Sequence, residues 1–176
     1  MSHIQQLRFV ESVKSRYPDF FKGTQVLEIG SLNINGSVRS FFSAGTYTGI
    51  DVGPGPGVDV VCEGQHYDSD PVDVTISCEC FEHNPYWKET FANMLRLTRV
   101  GGLVIMTCAT TGRPEHGTVR TTPKDSPLTV AKGWTYYQNL TESDMRAHFD
   151  FDRLFSSYGF ETNPRVSDLY FYGIKA

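Results

Sequence analysis

The chain of 176 residues has the length of one ordinary domain and is long enough to bury a core. Its 39% hydrophobic and 20% charged residues exclude a disordered or fibrous protein. A net charge of -4 and a pI near 5.7 argue against tight nucleic-acid binding, which favours a basic face that neutralises phosphates.

No early segment has the basic start and apolar middle of a signal peptide, and no apolar run is long enough to span a bilayer. Cys62, Cys78, Cys80 and Cys108 lie in apolar, strand-like surroundings, where free thiols are expected rather than disulfides or metal ligands. A cytoplasmic protein without membrane association is the expectation.

In chain order, Leu7, Val10, Val13 and Tyr17 recur at near-helical spacing and predict an N-terminal helix over about residues 3–17, closed by Pro18. Gln25 to Ile29 reads as a first strand. A helix beginning near Asn35 is expected to carry Val38, Phe41 and Phe42. Tyr47 to Asp51 is a second strand that runs into the loop Gly53-Pro54-Gly55-Pro56-Gly57. Val58 to Cys62 and Val72 to Ser77 are a third and a fourth. Trp87, Phe91, Met94 and Leu95 mark an amphipathic helix stopped at Gly101-Gly102, and Leu103 to Cys108 is a continuous apolar run suited to an interior parallel strand.

From about residue 109 to 135 no periodicity survives, which predicts a long lid-like insertion. Thr141 and Asp144 form a capping-box pattern for a helix bearing Met145, Phe149, Phe155 and Tyr158. Two short-linked strands, Thr162 to Val166 and Leu169 to Ile174, close the chain as an antiparallel pair. The whole is one α/β domain over residues 1–176: a Rossmann-like, seven-stranded, mostly parallel sheet with helices on both faces and an antiparallel C-terminal strand.

Ligands of such sheets bind beyond the carboxyl ends of the strands. There the sequence places Glu28 and Gly30 after strand one, Asp51 after strand two, Glu63 after strand three, and Glu79, Glu82 and His83 after strand four. The spacing from Gly30 to Asp51 is that of an acid placed against ribose hydroxyls, so a nucleoside is expected. The loop Gly30-Ser31-Leu32-Asn33-Ile34-Asn35-Gly36 lacks the glycines that let a backbone close on a pyrophosphate, and Glu28 would repel one. A cationic nucleoside reverses that sign.

On these residues the chain resembles the class I S-adenosylmethionine-dependent methyltransferases from Thr24 onward. VLEIGSLNING is similar to the family's first motif, which binds the methionine end of the cofactor and implies that role for Glu28 and Gly30, with Ser31 and Gly36 as loop contacts. YTGIDVGPGPGVDVV resembles the second motif, implying a ribose contact for Asp51. Glu63 stands where family members place an acid near the adenine amino group. VTISCECFEHNPYW resembles the strand-four segment, adding Cys78 and Glu79 to the cofactor set and matching Glu82 and His83. The resemblance departs from the family pattern in the first motif, where Asn33 and Asn35 replace a second early glycine.

The activity implied is methyl transfer from S-adenosylmethionine to a small polar acceptor, a hydroxyl of a small molecule or glycan, with His116 or His83 as base. Glu82, Arg113, His116 and Tyr137 are the expected substrate contacts. The sulfonium methyl is already activated, so no metal is expected. The alternatives are a non-catalytic S-adenosylmethionine-binding module, a nicotinamide-dependent oxidoreductase and a nucleic-acid methyltransferase. Asn84-Pro85-Tyr86 is similar to a base- and glutamine-methylating signature, but an intervening segment separates it from strand four, so coincidence is expected.

Overall fold

Strand β1 (Gln25–Ile29) alternates its side chains between two hydrophobic layers, and that alternation organises the molecule. Val26 joins Phe9, Val10 and Val13 of helix α1 (Ile4–Arg16) on one face of the sheet. Leu27 and Ile29 face Phe91 and Met94 of helix α2 (Trp87–Leu97) on the other. The computed structural model describes residues 4–176; residue 3 of the predicted N-terminal helix lies outside them.

The remaining strands are β2 (Thr46–Asp51), β3 (Val60–Val61), β4 (Val72–Cys78), β5 (Thr98–Ala109), β6 (Phe155–Asn163) and β7 (Asp168–Lys175). They form one sheet in the order β3-β2-β1-β4-β5-β7-β6. β1 to β5 pair in parallel, whereas β7 runs antiparallel to both β5 and β6. From β1 the chain travels outward to β3, then returns to place β4 on the other side of β1. The switch point in strand order therefore lies between β1 and β4.

Two predicted helices take other forms. Between β1 and β2 the structure has a single 3₁₀ turn, Val38–Phe41, in place of the helix expected near Asn35. Val38 alone of that turn is buried, and Phe42 leaves it to stack on Phe21 with ring centroids 4.5 Å apart. The helix expected after Thr141 is broken into α4 (Glu142–Arg146), which keeps the capping box, and α5 (Phe151–Leu154). Phe155 and Tyr158 belong instead to β6, where with Phe151, Phe160 and Phe171 they build an aromatic cluster against β7. β5 starts at Thr98 and passes through Gly101-Gly102, where helix termination was expected. The Thr98 hydroxyl bonds both the Met94 carbonyl and Thr75, turning the helix end directly into the strand.

The long segment after β5 contains a 3₁₀ turn, Pro123–Asp125, and a short helix, α3 (Pro127–Ala131). No described helix is long and apolar enough to cross a membrane.

Candidate functional site

A cleft opens at the carboxyl ends of β1, β2 and β4. Glu28, Gly30, Ser31, Gly36, Asp51, Cys78, Glu79 and His83 all line it. The structure thus gathers in one place eight residues singled out from three separate stretches of sequence.

Gly30 has φ +79°, and a Cβ there would lie 2.6 Å from Cys80 Cβ. Only glycine allows the chain to turn at this point while the segment after β4 approaches so closely. Asn33 supplies the next turn by accepting the Gly36 N–H at 2.9 Å on its side-chain oxygen, in place of a second early glycine. Ser31 Oγ is buried and has no hydrogen-bond partner among the described residues, which leaves it available to a ligand.

Asp51 holds this loop in place. One carboxylate oxygen accepts the Leu32 N–H at 3.0 Å and the other the Val52 N–H at 2.7 Å. A carboxylate offers about four lone-pair positions, so two remain for a diol. Burial raises the Asp51 pKa against the opposing pull of these two donors. Glu28, 5% exposed, accepts the Tyr47 hydroxyl at 2.8 Å. Its pKa is pushed up to about 7, chiefly by burial, with the Tyr47 bond and Arg39 pulling the other way. Glu79 turns the chain after β4 with φ +52°, a left-handed conformation uncommon for a side-chain-bearing residue. Its N–H and one carboxylate oxygen both engage Thr107.

Glu63 is placed differently from the expectation. Its carboxylate meets Lys132 at 2.7 Å and Gln65 at 2.6 Å, which ties the loop after β3 to the end of α3. Its neighbours Cys62 and Gly64 instead line a smaller, mainly apolar cavity with Val52, Asn84 and Trp134, on the far side of Asp51. Sequence reasoning missed these lining residues because apolar side chains in loops carry no chemical signature. Asn84 donates to Thr90 and accepts from Tyr86 N–H, so its amide is committed to the start of α2.

Asp125, Ser126, Pro127, Leu128 and Thr129, from the segment after β5, form the outer wall of the cleft. Asp125 also borders a wider opening lined by Arg113, Pro114, Glu115, His116 and Thr122. Where cleft and opening meet, the His83 and His116 rings sit edge to face, 5.0 Å apart, and the Tyr137 ring packs on both. Gly117, at φ +64°, lets the chain pass the pair: a Cβ there would lie 2.6 Å from His83 Cε1. Burial, then His116, lowers the His83 pKa to about 3. Burial also lowers that of His116, so both rings are neutral near pH 7. His116 Nδ1 lies 3.0 Å from the Pro114 carbonyl. A carbonyl only accepts, so Nδ1 carries the proton and Nε2 presents a lone pair.

Glu82 is fully buried beside this pair, and burial raises its pKa. Arg113, expected to contact substrate, is bound to Asp168 at 3.0 Å and to the Val166 carbonyl at 2.7 Å, clamping the loop onto β7. The Tyr137 hydroxyl donates to the Pro114 carbonyl, the same oxygen that orients His116.

No family model matches the sequence, and neither does any curated protein. Solved structures do match in shape. The N-terminal domain of EvdMO1, crystallised in the presence of S-adenosylhomocysteine and D-fucose, superposes with a TM-score of 0.66 at 12% identity, over 100% of this chain and 85% of that one. The Burkholderia thailandensis 1,6-didemethyltoxoflavin-N1-methyltransferase, bound to that compound and S-adenosylhomocysteine, gives 0.64 at 15% identity, over 97% and 78%. The CurJ carbon methyltransferase gives 0.66 at 15% identity over 97% of this chain, which spans 54% of that longer one. The architecture is therefore that of the class I S-adenosylmethionine-dependent methyltransferases.

Proposed function

We propose that the chain binds S-adenosylmethionine in the cleft and transfers its methyl group to a hydroxyl of a small polar molecule or sugar. The observation carrying this reading is the pair of acids, Glu28 and Asp51, at the tips of neighbouring strands in one cleft. Asp51 suits a ribose diol, and Glu28 suits the positive charge of the methionine end. The 3₁₀ turn after β1 adds weight, because the helix N-terminus that a pyrophosphate cofactor needs is missing from that connection. A nicotinamide cofactor is disfavoured accordingly.

The acceptor would enter by the opening at His116 and meet the methyl group near His83. The oxygen lone pair then forms the C–O bond while the C–S bonding pair returns to sulfur, leaving a neutral thioether. The hydroxyl proton must leave, and the Nε2 lone pair of His116, freed by the Nδ1–H bond to Pro114, supports that residue as its acceptor. Orientation of the reactants supplies the rest of the rate, up to ~7–11 kcal/mol of the barrier in well-ordered systems. The sugar in the EvdMO1 crystals supports a hydroxyl-bearing acceptor.

Calorimetry tests the cofactor: S-adenosylhomocysteine should bind and NAD should not. Mass spectrometry of acceptor panels tests the chemistry. Methylation of amines with hydroxyl compounds untouched, or unchanged turnover in H116A, would refute hydroxyl transfer by this base.

A further inference from the structure

Glu82 and His83 occupy the 3₁₀ turn Phe81–His83, and His116 meets them from the loop after β5. One donor atom of each lies within 4.8 Å of the other two. Glu82 and His83 are 0% and 3% exposed. Among the described residues neither carboxylate oxygen of Glu82, neither ring nitrogen of His83, nor Nε2 of His116 has a hydrogen bond of ordinary geometry; only the backbone N–H groups of Glu82 and Ala109 pull on the Glu82 carboxylate. Each buried orphan of this kind is destabilising, more so where it is charged. A fold that concentrates five of them in one spot has an acceptor-rich hole with the chemistry of a cation site. Arg113, the guanidinium on the same loop as His116, is committed to Asp168 and Val166.

We propose that Glu82, His83 and His116 bind one divalent transition-metal ion of the zinc type. Two neutral imidazoles and one carboxylate suit zinc or iron, whereas magnesium and calcium prefer all-oxygen sets. One of the two imidazoles already has the surroundings of a ligand, while the second ring nitrogen of His83 has no acceptor among the described residues. Metal-binding imidazoles almost always donate their second ring N–H to a fixed acceptor, and His116 gives Nδ1–H to the Pro114 carbonyl. Tyr137 packs against both rings, and Gly117 leaves His83 its room. Bond lengths of about 2.0–2.1 Å place two ligands of a tetrahedral ion about 3.3 Å apart, so donors within 4.8 Å of one another close by at most about 1.5 Å on binding. That distance is within the range of side-chain rotation.

Sulfonium chemistry needs no metal at the leaving group, and the metal-free expectation rests on that. The acceptor is a separate matter. An ion held by three side chains keeps a position for an oxygen ligand on the side of the outer opening, and a hydroxyl bound there loses its proton more readily. This role rests on the proposed transfer to oxygen. With the ion bound the proton leaves to solvent and His116 holds the ion; in the metal-free protein the proton passes to His116 Nε2 as proposed above.

The test uses full-length protein, any histidine tag removed, stripped with chelator and titrated with Zn²⁺ by calorimetry and with Co²⁺ by visible spectroscopy. One ion should bind per chain, and Co²⁺ should give the d–d bands of low-coordinate nitrogen–oxygen ligation. E82Q and H116N should each lower Zn²⁺ affinity at least tenfold; His116 is partly exposed, so H116N spares the core if E82Q misfolds. Zn²⁺ binding undiminished in folded H116N, or the absence of Co²⁺ bands in the parent, overturns the site. S-adenosylhomocysteine titrated into the same samples separates the two claims. Cofactor binding without metal binding overturns the metal site alone. Metal binding without cofactor binding sustains the site and overturns methyl transfer.

Discussion

The Tyr47 hydroxyl donates to Glu28 at 2.8 Å, reaching across from β2 to the carboxylate of β1 that faces the cleft. The bond favours the ionised carboxylate, but burial outweighs it and leaves the Glu28 pKa at about 7. A cationic ligand binds the ionised form, so S-adenosylmethionine affinity should fall as pH drops through 7, approaching tenfold per unit below it. Y47F removes the donor, raises the pKa further and moves that fall to higher pH. Stability should run oppositely. A carboxyl whose folded pKa lies above its unfolded value favours folding below the unfolded value and loses that advantage as pH rises through the folded one. The shift from 4.5 to about 7 is worth on the order of 3 kcal/mol. E28Q should therefore stabilise the ligand-free protein at pH 8 while weakening cofactor binding. Calorimetry at several pH values and chemical denaturation check both, and pH-independent binding in the parent would refute the linkage.

Asp51 offers a sharper measure of nucleoside recognition. Its two backbone donors, Leu32 and Val52, consume half of its accepting capacity and aim the remainder at the cleft. D51N keeps the size but loses charge and one acceptor. Hydrogen bonds to charged groups contribute about 1.5–3 kcal/mol, so affinity for S-adenosylhomocysteine should fall roughly 10- to 150-fold. Equal affinity in a folded D51N variant would place the ribose elsewhere.

The part of this site that was legible in the sequence is the part built locally. Gly30 and Asp51 each end a short apolar strand, and a parallel sheet carries such positions to the same edge whatever the loops do. The meeting of His83 with His116 was not legible, because it depends on the route of a segment without periodicity and on Gly117 passing close to an imidazole. Phe155 and Tyr158 fit a helical spacing, but an aromatic-rich stretch fits a strand equally well. The match of Phe155 and Phe160 to Phe171 across the sheet decided between them. Val38, Phe41 and Phe42 were too few to distinguish an α-helix from one 3₁₀ turn. Glu63 was read as facing the ligand because its partner, Lys132, lies far along the chain.

That Glu63–Lys132 pair predicts a kinetic effect. It joins the loop after β3 to α3, whose Leu128 and Thr129 wall the cleft. Both side chains are partly exposed, so the pair is worth about 0.2–1 kcal/mol. K132A should speed S-adenosylhomocysteine release by roughly 1.4- to fivefold with a smaller effect on association. The difference should shrink at high salt, where such pairs are screened. Trp134, which lines the neighbouring cavity, gives the fluorescence signal for stopped-flow measurement. Release rates identical in parent and K132A would mean that the pair does not hold the wall in place.

Gly30 should tolerate no side chain, for two reasons that experiment can separate. A Cβ would lie 2.6 Å from Cys80 Cβ and 2.7 Å from its sulfur, a steric conflict between the turns that follow β1 and β4. Independently, φ +79° strains any residue bearing a Cβ by about 1–3 kcal/mol. G30A should thus destabilise the fold and abolish measurable cofactor binding. C80G removes the opposing side chain but leaves the backbone angle unchanged. G30A should therefore cost less in the C80G background than in the parent, with the difference giving the steric part and the remainder the conformational part. Denaturation midpoints of the four proteins measure both. Equal costs in the two backgrounds would show that backbone angle alone demands glycine, and that the close approach of the segment after β4 relaxes without penalty.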